Sequence, residues 1–228
     1  MVRLTALAIC LLSSGPVAAC RLALVLAIDV SSSVDPAEDR LQRDGLAAAL
    51  LTPAVQDAFF ISPDPVALYV FEWSGRDAQV TLIPWMLIRE PEDLSDAAQR
   101  VRQSARSTAT APTALGHALA HAALALQSGP TCLFQTIDVS GDGPNNDGFG
   151  PGLAYATFPF DGVTVNGLVI LTEAAETLPY YRTQVQRGAL SFVEVANGFA
   201  DFATAMERKL IRELSAQIIG QALQGAAE

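Results

Sequence analysis

The amino-acid sequence predicts an α/β protein with a doubly wound, mostly parallel central sheet of about six strands and helices on both faces. Strand-like and helical segments alternate along the chain, which implies parallel strands joined by crossover helices. The segment 22–28 is continuously apolar, as is typical of a strand that is buried on both faces. Segments 66–73 and 80–85 are separated only by the polar turn 74–77, which predicts a hairpin and therefore one antiparallel edge strand.

The remaining elements follow from caps and hydrophobic periodicity. A helix is predicted over 35–51, because Asp35 is a suitable cap, Pro36 suits the first turn, and apolar residues recur on one face. Further helices are predicted at 91–107, 113–127, 174–186 and 201–219. Further strands are predicted at 132–139, 163–171 and 190–195, with a Gly/Pro/Asn-rich loop at 141–152.

Composition and charge limit the functional classes. The chain has 228 residues, of which 50% are hydrophobic and 17% are charged, enough for one well-filled core. We expect a single domain over 20–220 and a short tail over 221–228. The net charge of −10 argues against binding to nucleic acid or to an anionic membrane surface. Gly141-x-Gly143 lacks the third glycine of a dinucleotide site and no Walker motif occurs, so nucleotide binding is not expected.

The first 19 residues resemble a signal peptide in their organisation. A basic start at 1–3 precedes an apolar stretch at 4–12, and small residues at 17–19 suit signal-peptidase cleavage. This pattern predicts export, to the periplasm or out of the cell. Residues 17–20 also fit a bacterial lipobox, in which lipid on Cys20 would anchor the protein to a membrane.

Cys20 and Cys132 are the two cysteines that follow the predicted signal peptide. Each precedes a strand that ends in an aspartate, Asp29 for the first and Asp142 for the second. In parallel neighbouring strands both sulfurs would lie at the same edge of the sheet, where a disulfide is geometrically reasonable. A disulfide also suits an exported protein. A lipidated Cys20 and two unpaired cysteines are the alternatives.

Oxygen-bearing side chains are expected to meet at the opposite edge of the sheet. The predicted metal ligands combine two carboxylates with three hydroxyls: Asp29, Ser31, Ser33, Thr113 and Asp142. Ligands of doubly wound sheets bind at the carboxyl ends of strands, where the strand order reverses. This ligand set suits Mg²⁺ or Mn²⁺ and is poorly suited to zinc or copper.

The same residues resemble a known family. Asp29-x-Ser31-x-Ser33 with Thr113 and Asp142 is similar to the metal ion-dependent adhesion site (MIDAS) of von Willebrand factor A-type (vWA) domains. The segments 28–35, 139–146 and 165–168 look like those of an uncharacterised bacterial family of secreted A-domain-like proteins. The resemblance implies a non-enzymatic, Mg²⁺-dependent module whose open coordination position takes an Asp or Glu of a protein partner. A departure is Ala111-Pro112 before Thr113, where A-domains often have glycine.

Two alternatives remain open at this point. The protein could be a metal-free vWA scaffold, in which the motif residues serve as caps and loop hydrogen-bonders. It could also be a Mg²⁺- or Mn²⁺-dependent hydrolase of phosphate or other esters, since a metal held by two aspartates can polarise a phosphate. The loops around the motif offer no evident base or lysine for such chemistry.

Other conspicuous side chains are assigned structural roles. His117 and His121 are spaced for one helical face and are expected to face solvent. Asn145 and Asn146 are expected to satisfy the backbone of their loop. Trp73 and Trp85 are expected to pack at the end of the hairpin, with a recognition patch beside the metal as the alternative.

Overall fold

The structure is a computed structural model that describes residues 20–108 and 110–225, with side chains described as far as residue 215. Its centre is a six-stranded sheet of order β3-β2-β1-β4-β5-β6. All neighbouring strands run parallel except β3, which is antiparallel to β2 at one edge. The strands are β1 (Cys20–Asp29), β2 (Val66–Trp73), β3 (Gln79–Ile88), β4 (Cys132–Gly141), β5 (Val163–Ile170) and β6 (Val193–Ala196). The predicted fold class is confirmed.

Seven α-helices flank the sheet within the described residues. They are α1 (Pro36–Leu50), α2 (Pro53–Phe60), α3 (Pro91–Gln103), α4 (Leu115–Ser128), α5 (Pro151–Thr157), α6 (Thr177–Tyr180) and α7 (Phe202–Gly225). A π-helical turn, Tyr181–Val185, continues α6, and a 3₁₀ turn, Phe199–Asp201, precedes α7. No helix among these is both long and apolar enough to span a membrane.

The core is divided by the sheet into two layers. Because successive side chains of a strand point to opposite faces, β1 contributes to both. One layer packs against α1, α2, α3 and α7 and takes Leu22, Leu24, Leu26 and Ile28 from β1. The other packs against α4, α5 and the π-helical turn and takes Ala23, Val25 and Ala27. Burial on both faces explains why the β1 sequence is continuously apolar.

Several element boundaries differ from the predicted ones for local reasons. The helix predicted from Thr113 begins at Leu115, because Thr113 exchanges hydrogen bonds with Asn146 across two loops. The strand predicted from Leu190 begins at Val193, because Leu190 has a φ of 62° that a strand cannot accommodate. The short helices α2 and α5 were not predicted.

The predicted domain boundaries stay predictions. Residues 1–19, the expected signal peptide, lie outside the described residues. The last helix was predicted to end near 219, but α7 continues to Gly225 and so passes the expected start of the tail at 221.

A disulfide joins Cys20 to Cys132 at the amino ends of β1 and β4. The two residues are direct partners in the parallel register, with their Cα atoms 4.6 Å apart, within the range that a disulfide spans. This pairing confirms the predicted bridge. Because the bridge and a thioether-linked lipid would use the same sulfur of Cys20, the structure favours the disulfide over the lipidated form.

Candidate metal centre

The predicted metal ligands lie at the carboxyl edge of the sheet, opposite the disulfide. Asp29 is the last residue of β1, and Asp142 directly follows β4. These two strands are neighbours, and the strand order reverses between them, since β1 pairs with β2 on its other side. A crevice at this point of a doubly wound sheet is where such folds bind ligands.

Asp29 is fully buried and is fixed by the loop that follows it. Its Oδ1 accepts a hydrogen bond of 2.8 Å from the backbone N–H of Ser31. Its backbone carbonyl accepts one of 3.0 Å from Gln42 Nε2 on α1. Its Oδ2 has no hydrogen-bond partner within the described part of the chain. A buried carboxylate oxygen without a partner is costly, so this atom is available to a cation, to water or to a donor that moves toward it.

Two serine hydroxyls connect the β1 loop to the β4 loop. The Oγ atoms of Ser31 and Ser33 lie 3.1 Å apart, within hydrogen-bond distance. Ser33 Oγ donates a hydrogen bond of 2.8 Å to Asp142 Oδ1. The structure therefore brings four of the five predicted ligands into one hydrogen-bonded cluster, although Asp29 and Asp142 are 113 residues apart in the chain.

Thr113, the fifth predicted ligand, lies in an adjoining loop. The loop contacts the cluster through a hydrogen bond of 2.8 Å from Ser32 N to the carbonyl of Ala111. Asn146 makes two hydrogen bonds to the backbone of Thr113. Its side-chain Oδ1 accepts from Thr113 N at 2.8 Å, and its backbone N–H donates to the Thr113 carbonyl at 2.9 Å. Asn145 Oδ1 likewise accepts from a backbone N–H of α4, so both asparagines satisfy backbone groups as predicted.

The electrostatics of the site favour a positive charge between the aspartates. Burial, followed by the negative charge of Asp142, raises the pKa of Asp29 to about 7. Burial also raises the pKa of Asp142 from its ordinary value of 3.8. Arg106 lowers the pKa of Asp29 by a smaller amount; its guanidinium donates to the carbonyls of Val30 and Ser31, each at 2.9 Å. Ionisation of both carboxylates together therefore calls for a neutralising cation.

The residues present fit a hard divalent cation. They supply carboxylate and hydroxyl oxygens, and one buried carboxylate oxygen, Asp29 Oδ2, lacks a partner among the described residues. In the same residues, no group of three or more His, Cys, Asp and Glu side chains is placed to hold a metal. A cation here would therefore be held by carboxylate and hydroxyl oxygens, which suit Mg²⁺ and Mn²⁺, rather than by the His and Cys side chains typical of zinc sites.

Sequence reasoning missed several residues that shape the site. Arg106 and Gln42 bond the β1 loop, and Thr177 Oγ1 donates to the carbonyl of Asp142 at 3.0 Å. Tyr181 is fully buried, and its pKa lies well above 10 because of burial and the nearby charges of Asp29 and Asp142. None of these residues belongs to a recognisable motif, and they reach the site only through the fold.

The aromatic residues near the hairpin have packing roles. Trp73 is completely buried in the core, and half-buried Trp85 donates a hydrogen bond of 3.1 Å from its indole N–H to a backbone carbonyl of α4. The prediction that His121 faces solvent is wrong. Its ring lies 4.6 Å from that of Phe71, and its Nε2 is 3.2 Å from the Tyr69 hydroxyl, because the edge of α4 packs over β2.

Solved structures with the same fold include vWA proteins. Proximal thread matrix protein 1 from the mussel byssus matches with a TM-score of 0.62 and 17% identity over 87% of this chain and 49% of its own. A structure of that protein with a zinc-occupied MIDAS motif matches with a TM-score of 0.61 and 18% identity over 87% and 48%. The von Willebrand factor type A protein from Catenulispora acidiphila matches with a TM-score of 0.61 and 18% identity over 84% and 42%.

This chain thus spans about half or less of the length of each of these solved chains. No curated protein matches the sequence. One family model covers residues 19–218, nearly all of the described structure. The chain has a vWA-like fold and belongs to the family described as Protein of unknown function (DUF1194).

Proposed function

We propose that this protein is an exported, non-enzymatic binding module that recognises a protein partner through a divalent cation. The observation that carries the proposal is the hydrogen-bonded cluster at the carboxyl edge of the sheet. There Ser33 connects the β1 loop to Asp142, beside the buried Asp29. A cluster of oxygens at this edge of a vWA-like fold, with one carboxylate oxygen unpartnered in the described chain, favours a MIDAS-like site over a metal-free scaffold.

The proposed ligands are the five predicted side chains: Asp29, Ser31, Ser33, Thr113 and Asp142. Mg²⁺ is the proposed ion, with Mn²⁺ as a substitute, because both prefer oxygen ligands and accept one from outside the protein. The zinc-occupied MIDAS of the mussel protein supports a divalent cation in this fold. The open position would take an Asp or Glu carboxylate of the partner, since a hard cation prefers an anionic oxygen.

Export is part of the proposal. The signal-peptide pattern in residues 1–19 and the disulfide between Cys20 and Cys132 both fit an oxidising compartment, the periplasm or the exterior. The net charge of −10 gives no surface attraction to nucleic acid or to anionic lipids. We therefore propose a protein partner.

Thermal unfolding of the purified protein tests the proposal. We expect Mg²⁺ or Mn²⁺ added after EDTA to raise the melting temperature, since a ligand at a hundredfold excess over its Kd stabilises the folded state by about 2.7 kcal/mol. Asp29→Asn should lose this shift. Asp147→Asn is the matched control, because Asp147 lies in the β4–α5 loop and pairs with Arg76 outside the ligand set.

The same samples test the hydrolase alternative. If the protein hydrolyses p-nitrophenyl phosphate, and if this activity requires Mn²⁺ and is lost in Asp29→Asn, the proposal of a binding module is wrong and the protein is a metal-dependent hydrolase. If none of Mg²⁺, Mn²⁺, Ca²⁺ and Zn²⁺ changes the melting temperature, the alternative of a metal-free vWA scaffold is supported instead.

A further inference from the structure

Tyr181 occupies a groove formed by two glycines of neighbouring strands. β4 and β5 lie side by side with Val139 opposite Gly167, so Gly167 and Gly141 present the same face of the sheet. A Cβ atom on Gly167 would lie 2.7 Å from Cδ1 of the Tyr181 ring, and one on Gly141 would lie 2.4 Å from the Tyr181 hydroxyl. Both distances are too short for any side chain, so glycine at the two positions is what admits the tyrosine.

The groove directs the Tyr181 hydroxyl toward the first metal aspartate. The position of a Cβ on Gly141 is 2.4 Å from Tyr181 Oη and 2.9 Å from Asp29 Oδ2. Both oxygens are buried, and neither has a hydrogen-bond partner within residues 20–108 and 110–225. Two unpartnered buried oxygens on one small site are unusual, because each costs free energy unless it finds a donor or an acceptor.

The segment that carries Tyr181 is anchored at both ends. Thr177 on α6 donates to the carbonyl of Asp142 at 3.0 Å, which joins the start of the segment to the second metal aspartate. Tyr155 on α5 donates to the carbonyl of Val185, the last residue of the π-helical turn. π-Helical turns occur often at functional sites. The anchoring leaves the Tyr181 ring little freedom to leave the groove.

We propose that Tyr181 is a positioning residue of the metal site that orients Asp29 by donating its O–H toward Asp29 Oδ2, directly or through one water. A carboxylate oxygen has two lone pairs, so Oδ2 can accept this hydrogen bond and still face a cation. The hydrogen bond from Tyr181 is strongest when Asp29 is ionised, and the ionised form is the one that binds a cation. The inference rests on the proposed function of the site, and it assigns a role to a residue outside the MIDAS-like motif.

The test compares Mg²⁺ binding by three forms of the purified protein in titration calorimetry. Tyr181→Phe removes only the hydroxyl, and we expect it to raise the Kd for Mg²⁺ about tenfold, the size of effect found for residues that orient metal ligands. Tyr69→Phe is the matched control, since it removes the hydroxyl of a buried tyrosine that lies within hydrogen-bond distance of Thr81 on β3 and does not hold the Tyr181 segment. Its Kd should equal that of the wild type.

A spectroscopic readout separates positioning from a general loss of stability. Mg²⁺ should perturb the near-ultraviolet tyrosine absorbance of the wild type and of Tyr69→Phe, and the perturbation should be lost in Tyr181→Phe. Gly167→Ala gives a second test if Tyr181→Phe does not fold, because its methyl group would lie 2.7 Å from Cδ1 of the Tyr181 ring; it should displace the ring from the groove and weaken Mg²⁺ binding.

Equal Kd values for the wild type and Tyr181→Phe, with the absorbance change retained, would overturn the role of Tyr181 and leave the proposed function intact. A wild type that binds no Mg²⁺ would overturn both.

Discussion

Asp29 combines complete burial with an ionisable group, and this combination explains much of the chemistry of the site. A carboxylate removed from water is stable only if its oxygens are hydrogen-bonded or neutralised. Here Oδ1 has the backbone N–H of Ser31, whereas Oδ2 lacks a partner in the described chain. The ionised form of Asp29 is therefore unfavourable by itself, and either a proton or a divalent cation would stabilise this carboxyl group. Proton and cation should compete for the same group.

The raised pKa of Asp29 gives a prediction for pH. Burial first, and then the charge of Asp142, raise this pKa from 3.8 to about 7. Between these values the folded protein keeps a proton that the unfolded chain has lost. The resulting stabilisation is complete at acid pH and is lost as the pH rises through about 7. Since a cation needs the ionised form, Mg²⁺ affinity should fall about tenfold for each pH unit below 7.

Calorimetric titration with Mg²⁺ at a pH of about 5.5, 6.5 and 7.5 measures this competition. Melts of the metal-free protein over the same range should show lower stability at higher pH. Asp29→Asn should remove that contribution, because the amide does not titrate. A Mg²⁺ affinity that does not change across this range would contradict the assignment of the raised pKa to Asp29.

That the proposed ligand residues meet at one edge of the sheet could be predicted from the sequence, whereas the residues that support them could not. Asp29 and Asp142 each follow an apolar strand, and parallel strands place their carboxyl ends at one edge of the sheet. Tyr181 and Arg106 carry no such signal. Tyr181 depends on a π-helical turn and on two glycines of other strands, and Arg106 bonds two carbonyls 75 and 76 residues away in the chain.

At the scale of elements, the neighbouring strands β1 and β4 are connected to each other at both of their ends. At the carboxyl ends, the bond from Ser33 to Asp142 connects the loops of the candidate site. At the amino ends, the disulfide joins Cys20 to Cys132. The site therefore sits on two adjacent strands whose separation is fixed covalently at one end. The pairing of β1 with β4 continues from the bridge as far as Ile28 and Ser140, so the sheet itself positions the two loops of the candidate site.

Removal of the disulfide should reduce stability and leave cation binding unchanged. The bridge closes a loop with a sequence separation of 112 residues, and loss of a native disulfide typically costs about 2–5 kcal/mol of unfolding free energy. We expect the Cys20→Ala/Cys132→Ala double variant to show this loss in urea unfolding. Its Kd for Mg²⁺ should match the wild type at a temperature where both are folded, because the bridge lies at the opposite edge of the sheet.

Unchanged unfolding free energy in the double variant would show that the sheet does not depend on the bridge. Reduction of the wild-type protein with dithiothreitol gives an independent comparison, since it opens the same bond without changing the sequence.

The sequence predicted elements well where hydrophobic periodicity was long and less well where tertiary contacts decide. The observed α1 agrees with the predicted helix because the sequence carries clear start signals: Asp35 caps the helix in a full capping box, and Pro36 is its first residue. The start of α4 was placed two residues early, because the hydrogen bonds of Thr113 to Asn146 are visible only in the fold. The helix predicted over 174–186 is present as the four-residue α6 and the π-helical turn after it, which together run from Thr177 to Val185.

At the scale of the whole molecule, the doubly wound sheet keeps the packed core apart from the loops that carry the candidate site. Helices on both faces bury β1, β2, β4 and β5, which leaves the loops at the carboxyl edge free to vary. The motif spacing and the strand order together place the candidate site at that edge. The fold therefore accounts for the position of the candidate site, and the oxygen atoms gathered there account for the proposal that it binds a cation.

The most direct test of the central claim is water proton relaxation in a Mn²⁺ titration of the purified protein. Bound Mn²⁺ that keeps an open position holds exchangeable water and enhances the relaxation rate. We expect enhancement with the wild type, none with Asp29→Asn, and a decrease when a short Asp- and Glu-containing peptide displaces that water. A wild-type relaxation rate no different from that of Asp29→Asn would contradict the account, because it would show that these residues hold no cation.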